Sequence, residues 1–280
     1  MVSMKKILLL TLLPLLMLSG CNNKTDNNIS KDYGVFLGAS EEDKDKIKDY
    51  KNITIELEEF EKSTIKEFRS KDIHIYAYLS VGSLETYRDY YDEYKNLTFK
   101  AYDNWPDEFW IDVSNSSWQS LLINIASDFK DYGADGLFLD NFDVYYQSLE
   151  SNLVNSEDIY KGCKVILEGL SNLNMNITIN SGTDFLERLY DENDPLLKKI
   201  TWYAQESVFS KIENYDLNIF VKQDKEETEY YQSIINIMKP NSNILLIEYT
   251  IDKGLIEEIK KYCSTNDFSY YITNSINLTI

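Results

Sequence analysis

Eight short runs of β-forming residues, most of them followed by an amphipathic stretch, restrict the folds open to this chain more than any other feature. The runs are Tyr33–Gly38, Ile53–Leu57, Ile73–Val81, Phe109–Val113, Gly136–Asp140, Asn176–Asn180, Ile200–Glu206 and Asn243–Tyr249. Each is rich in β-branched or aromatic residues and is flanked by polar clusters. Between them, Trp118–Tyr132 places Leu121, Leu122, Ile125, Phe129 and Tyr132 at helical spacing. Ile159–Leu170 and Tyr230–Met238 read the same way, and Leu255–Tyr262 follows the eighth run. Strands alternating with helices pair in parallel through right-handed crossovers. Eight of them within residues 33–280 suit an α/β fold, a single (β/α)8 TIM-type barrel, better than an open doubly wound sheet. Phe268–Thr273 reads as an extra C-terminal strand that a pure barrel does not require. A nucleotide-binding open sheet needs a glycine-rich turn after its first strand. Here that turn is Gly38-Ala39-Ser40-Glu41-Glu42, with two acids where a pyrophosphate would lie.

The N-terminus reads as a targeting segment. Lys5 and Lys6 precede an apolar stretch, Ile7–Leu18, that is shorter than the roughly 20 residues of a membrane-spanning helix. Leu18-Ser19-Gly20-Cys21 then has the spacing of a lipobox. Residues 1–20 are therefore expected to be a lipoprotein signal peptide, with Cys21 the lipidated first residue of the mature chain. An ordinary secretory signal cut nearby is the alternative. Residues 21–32 are polar and aperiodic, as a flexible tether is. The expected location is extracytoplasmic, on the outer face of the bacterial cell membrane.

No Gly/Ser-rich linker divides residues 33–280, which contain one histidine and two cysteines, Cys163 and Cys263. Those cysteines are open to pairing or to burial as thiols. No CxxC or Cys/His metal spacing occurs, so no metal site is expected from the sequence. His74 lies in an apolar-alternating strand and reads as structural, which leaves a Ser-His-Asp hydrolase without a base. Removing residues 1–20 leaves 26 basic against 47 acidic side chains, a charge of −21. Such a surface disfavours nucleic acid and admits a cationic substrate.

Active sites of barrels lie at the C-terminal ends of the strands. The third run leads to Glu85 and Arg88, and the fourth carries Trp110 and Asp112. The fifth ends in Asp140-Asn141-Phe142-Asp143, the sixth in Asn180-Ser181-Gly182, the seventh in Gln205-Glu206 and the eighth in Glu248-Tyr249. Acids that close strands often do no more than cap the following helix. Asp140 and Glu206, however, each follow a run too apolar for the surface. A pair of carboxylates across one rim can flank a glycosidic bond, one protonating the leaving oxygen and the other attacking or activating water. Tyr78, Tyr87, Trp105, Trp110, Tyr145 and Trp202 lie near the expected mouth, where aromatic rings stack on sugar C–H faces. Trp202, inside a strand, reads as core.

These residues resemble a known family. Tyr76-Ala77-Tyr78-Leu79-Ser80-Val81-Gly82 with Glu85, Tyr87 and Arg88 resembles the third-strand signature of the endo-α-1,4-polygalactosaminidase-like glycoside hydrolases, glycoside hydrolase family 114. Trp110-Ile111-Asp112 and then Gly133-Ala134-Asp135-Gly136-Leu137-Phe138-Leu139-Asp140-Asn141-Phe142-Asp143 are similar to its central signature. Asn180-Ser181-Gly182, Glu206-Ser207 and Glu248-Tyr249 are similar to its later strand ends.

The resemblance implies a (β/α)8 barrel, catalysis by Asp140 and Glu206 with no metal or organic cofactor, and a substrate of α-1,4-linked, galactosamine-rich polysaccharide. Free amines on that polymer agree with the charge, and Asp112, Asp143 and Glu248 are expected to bind them. Tyr78, Glu85, Arg88, Trp110, Asn141, Asn180 and Tyr249 complete the expected substrate-binding set. The family position after Val81-Gly82 is usually Glu and here is Ser83, which leaves the subsites open. Glu206 is expected as general acid/base and Asp140 as nucleophile. The competing functions are a non-catalytic polysaccharide-binding lipoprotein and a purely structural or adhesive surface protein.

Overall fold

The computed structural model describes residues 31–280. The expected signal peptide and Cys21 lie outside the described residues, as does the expected tether up to residue 30. Among the described residues, eight parallel strands surround one core. They are β1 (Lys31–Phe36), β2 (Tyr50–Ile55), β3 (His74–Ser80), β4 (Gly136–Asp140), β5 (Asn176–Asn180), β6 (Trp202–Glu206), β7 (Asn243–Tyr249) and β8 (Ser269–Thr273). They follow one another around the sheet in chain order. β1 and β8 share no ladder but adjoin through side chains: the Phe36 and Tyr271 rings meet edge to face at 5.3 Å, and the Ser269 hydroxyl donates to the Asp32 carboxylate. The result is a TIM-type barrel closed all but for this seam.

The central strands are apolar along their length because both faces are covered. In β4 and β5, Leu137, Leu139, Ile177 and Ile179 face the outer helices and are fully or almost fully buried. Helix Ser156–Ser171 buries Ile159, Cys163, Ile166, Leu167 and Leu170 on one stripe. Each fully buried Leu or Ile contributes roughly 1.5–3 kcal/mol relative to exposure. Its first turn is capped by Asn155, whose side-chain oxygen accepts from the Glu157 and Asp158 amides. Helix Ser116–Tyr132 ends at Gly133, whose φ of 122° lets the chain turn back into β4.

Two insertions rise from the C-terminal ends of the strands. Between β3 and β4, Ser83–Glu85, Thr98–Ala101 and Glu108–Ile111 form an antiparallel sheet with Glu108–Ile111 at its centre. After β6, Ser210–Asn214 pairs with Ile219–Lys222 in a hairpin.

The fold differs from expectation in three segments. Phe109–Val113 is not the fourth barrel strand; its counterpart, Glu108–Ile111, belongs to the inserted antiparallel sheet. Phe268–Thr273 is not surplus to the barrel, because Ser269–Thr273 is its eighth strand. Asp140 and Glu206 therefore sit on the fourth and sixth strands rather than the fifth and seventh. β1 also begins at Lys31, inside the expected tether. Cys163 and Cys263 are buried and unpaired.

Candidate active site

Side chains alternate across a strand, so registry decides which residues share the barrel interior. The pairings Ser80↔Asp140, Phe138↔Thr178, Asn180↔Ala204 and Ile247↔Glu206 carry one parity around the sheet. Tyr78, Asp140, Asn180, Glu206 and Tyr249 all fall on it, and all line one cleft of about 710 Å³ at the C-terminal mouth.

There they form a single hydrogen-bonded set. The Asn180 amide nitrogen donates to both acids, at 3.0 Å to Asp140 Oδ1 and 2.7 Å to Glu206 Oε1. Asp140 Oδ1 also accepts from the Asn141 backbone N–H at 2.9 Å, and Oδ2 from the Tyr78 hydroxyl at 3.3 Å. Glu206 Oε2 accepts from the Tyr249 hydroxyl at 2.7 Å. Both acids are thus held around one amide nitrogen, which keeps the two bonded carboxylate oxygens no more than about 5.7 Å apart.

The backbone turns sharply after each of these three residues. Asn141, Ser181 and Ser207 have φ of 67°, 54° and 57°. Side chains other than glycine seldom take that left-handed conformation, and it is found where a site over-determines the chain. The N–H of Ser181 bonds the Ala204 carbonyl and that of Ser207 the Ile247 carbonyl, both at 2.9 Å, so the ladder runs one residue past β5 and past β6 before the turn. Gly82 passes so close to this region that a Cβ there would lie 2.0 Å from the Asn141 carbonyl oxygen.

Burial, and then the charge of Glu206, push the Asp140 carboxyl up to about 8, against the pull of the Asn180 amide. Burial also raises Asp143 to about 6, although the Gly182 N–H donates to it at 3.2 Å.

Comparison with known proteins decides what such a pair belongs to. Residues 22–276 match the sequence pattern of glycoside-hydrolase family GH114. The chain belongs to family GH114. It is a glycoside hydrolase. The fold is similar to that of the PelA glycoside hydrolase domain from Pseudomonas aeruginosa, at 14% identity, 89% coverage of this chain, 96% of that one and a TM-score of 0.71. It is also similar to Aspergillus fumigatus Ega3, solved in complex with galactosamine, at 18% identity, 90% and 94% coverage and a TM-score of 0.67. No curated protein matches.

Within this GH114 barrel the expected site residues separate into two groups. Tyr78, Glu85, Asp140, Asn141, Asp143, Asn180, Glu206 and Tyr249 line the cleft. Trp110 and Asp112 do not. Trp110 is buried and stacked on Tyr102 at 4.4 Å, and Asp112 accepts from the Ser114 amide and hydroxyl. Glu248 has the opposite strand parity and points outward, fully buried, accepting from the Phe209 and Ser210 amides and the Ser210 hydroxyl. It pins the start of the hairpin after Glu206. Arg88 spends its guanidinium on Glu56, at 2.7 Å, and on Glu85, so it braces the rim. His74 is exposed at the start of β3, the end of the barrel away from the cleft. Trp202 meets Tyr33 edge to face at 5.2 Å inside the barrel.

Three cleft residues had no signal in the sequence. Glu108 is raised to about 7, chiefly by burial, and accepts from the Ser83 hydroxyl at 2.8 Å. Glu56 reaches the cleft from the end of β2, and Tyr215 reaches it from the hairpin. Among the described residues, the lining carries seven carboxylates and one base, Lys211.

GH114 stability should carry the mark of these buried acids. Asp140, Asp143, Glu108 and Glu248, the last raised to about 7 by burial, all titrate above their ordinary values. As pH rises from about 4, the unfolded chain releases these protons first while the folded chain retains them, so folding weakens until about pH 8. Thermal melts should give a Tm higher at pH 5 than at pH 8 by roughly 5 °C or more. A Tm that is flat or rising over that interval would contradict the burial argument.

Proposed function

We propose that this protein cleaves α-1,4 linkages in a cationic, galactosamine-rich polysaccharide with retention of configuration, using Asp140 as nucleophile and Glu206 as general acid and base. The observation that carries this reading is the Asn180 amide bonded to both carboxylates. Bonded oxygens no more than about 5.7 Å apart fall short of the roughly 6.5–9.5 Å needed to admit a water for inversion, and so suit direct attack. The two donors on Asp140 Oδ1, the Asn141 N–H and the Asn180 amide, can accept no proton, so Oδ1 stays free for attack, and the proton that burial favours on this carboxyl must leave first. Glu206 faces the Tyr249 hydroxyl, which can donate or accept, so Glu206 keeps a partner in either protonation state.

In the first step Asp140 attacks the anomeric carbon while Glu206 passes its proton to the departing oxygen. In the second, Glu206 takes a proton from water, whose oxygen displaces Asp140. The acid-rich lining and the galactosamine bound to Ega3 support an amine-bearing polymer as substrate. The lipobox spacing at Leu18-Ser19-Gly20-Cys21 supports anchoring through lipid on Cys21, on the outer face of the cell membrane.

Incubation with deacetylated α-1,4-galactosaminan should release reducing ends that are initially α. Release of no reducing ends, or of β ends first, would overturn the reading.

A further inference from the structure

The hairpin after β6 is fixed at three places around the cleft. At its base, the Phe209 and Ser210 amides donate to buried Glu248 at 3.0 and 2.9 Å. In its second strand, the Phe220 ring lies 6.0 Å from that of Tyr249, the residue whose hydroxyl holds Glu206. At its tip, Asn218 accepts from the Ile276 amide at 3.0 Å, across the mouth beyond β8. The hairpin thus runs over the Glu206 side of the cleft as a strap rather than a free loop.

The turn of that strap carries Tyr215, whose ring meets Trp105 edge to face with centroids 6.2 Å apart. Trp105 belongs to the other insertion, on the link between Thr98–Ala101 and Glu108–Ile111. Both rings are only partly covered, and both line the cleft together with Asp140 and Glu206. Two aromatic rings from separate insertions, braced against each other, make an apolar wall in the cleft that holds Glu206, the acid that faces the departing oxygen. A sugar ring offers such a wall its C–H face, and little ordering entropy is lost because the rings are already held.

We infer that Trp105 and Tyr215 form the subsite for the sugar unit on the leaving-group side of the scissile bond, and so determine whether the enzyme accepts a chain that continues beyond it. The inference rests on the proposed role of Glu206, which places the leaving group under the strap.

The test compares two donors on the full-length protein: a galactosamine oligomer, which places a sugar in this subsite, and α-galactosaminyl fluoride, whose leaving group is an ion that fills none. Trp105→Ala and Tyr215→Ala should each lower the ratio of kcat/KM for oligomer to that for fluoride about tenfold, as loss of a stacking surface does. Tyr215→Phe, which keeps the ring, should hold the wild-type ratio. An unchanged ratio in the alanine variants, or equal losses on both donors, would overturn the inference. A wild-type protein that hydrolysed neither donor would instead remove the proposed function itself, and this subsite with it.

Discussion

Asp140→Asn is expected to cut kcat on galactosamine oligomers by about 10⁴-fold or more, because the amide cannot form or release the glycosyl bond that divides the reaction into two steps. At about 1.36 kcal/mol per tenfold, this withdraws more than 5 kcal/mol of transition-state stabilisation. The fold should survive. An asparagine oxygen can still accept from the Asn141 N–H and the Asn180 amide, the two donors now on Oδ1. It also removes a carboxyl that burial and Glu206 both disfavour in its charged form. The variant should therefore melt no lower than wild type, and higher at pH 8, where the native carboxyl must ionise against its surroundings. Loss of activity together with an unchanged or raised Tm separates a chemical role from a structural one. A variant that retained a tenth of wild-type turnover would remove Asp140 from the nucleophile position.

Glu206→Gln should behave differently, and the difference assigns the two acids. Loss of a proton donor costs about 10²–10⁴-fold when the leaving group is a sugar oxygen. It costs far less in the first step when the leaving group is fluoride, which departs without a proton. The second step still lacks its base, so the fluoride should give a burst followed by slow turnover, with a glycosyl group trapped on Asp140 and visible as added mass. Azide, which attacks without a base, should restore turnover and yield the α-glycosyl azide. With the charge of Glu206 gone, the Asp140 carboxyl should titrate lower, since that charge is the second cause of its upward displacement. Equal losses on both donors with no trapped intermediate would reverse the two roles.

Asn180 ties these predictions together. It is neither acid nor base, and the sequence marked it only as an expected substrate-binding residue at a strand end. In the folded protein its nitrogen bonds both acids, and on the proposed mechanism it holds them at the spacing that direct attack requires. It reaches both acids because β5 lies between β4 and β6 in the sheet, at matching depth.

Local composition specified much of the barrel. Gly136–Asp140, Asn176–Asn180 and Asn243–Tyr249 were legible to the residue, because short runs buried on both faces stand out between polar flanking segments. The acids of the candidate pair stood out for the same reason. Sheet membership was not legible. Phe109–Val113 has the composition of a barrel strand, yet Glu108–Ile111 pairs with Ser83–Glu85 and Thr98–Ala101, two segments too short and polar to announce themselves. β propensity reports that a segment suits a pleated surface and is silent on which neighbours it will find.

The sequence by itself determined which residues alternate, which runs must be covered, and which acids emerge from apolar strands, since these depend on side chains a few positions apart. Tertiary structure alone decided that Glu206 and Tyr249 share the cleft while Glu248, one residue away, is buried outward to hold the hairpin. It alone brought Trp105 and Tyr215 together from two insertions 110 positions apart. The physical reason is that a strand's inward face is set by its register with its neighbours, and register is fixed only when the whole barrel closes.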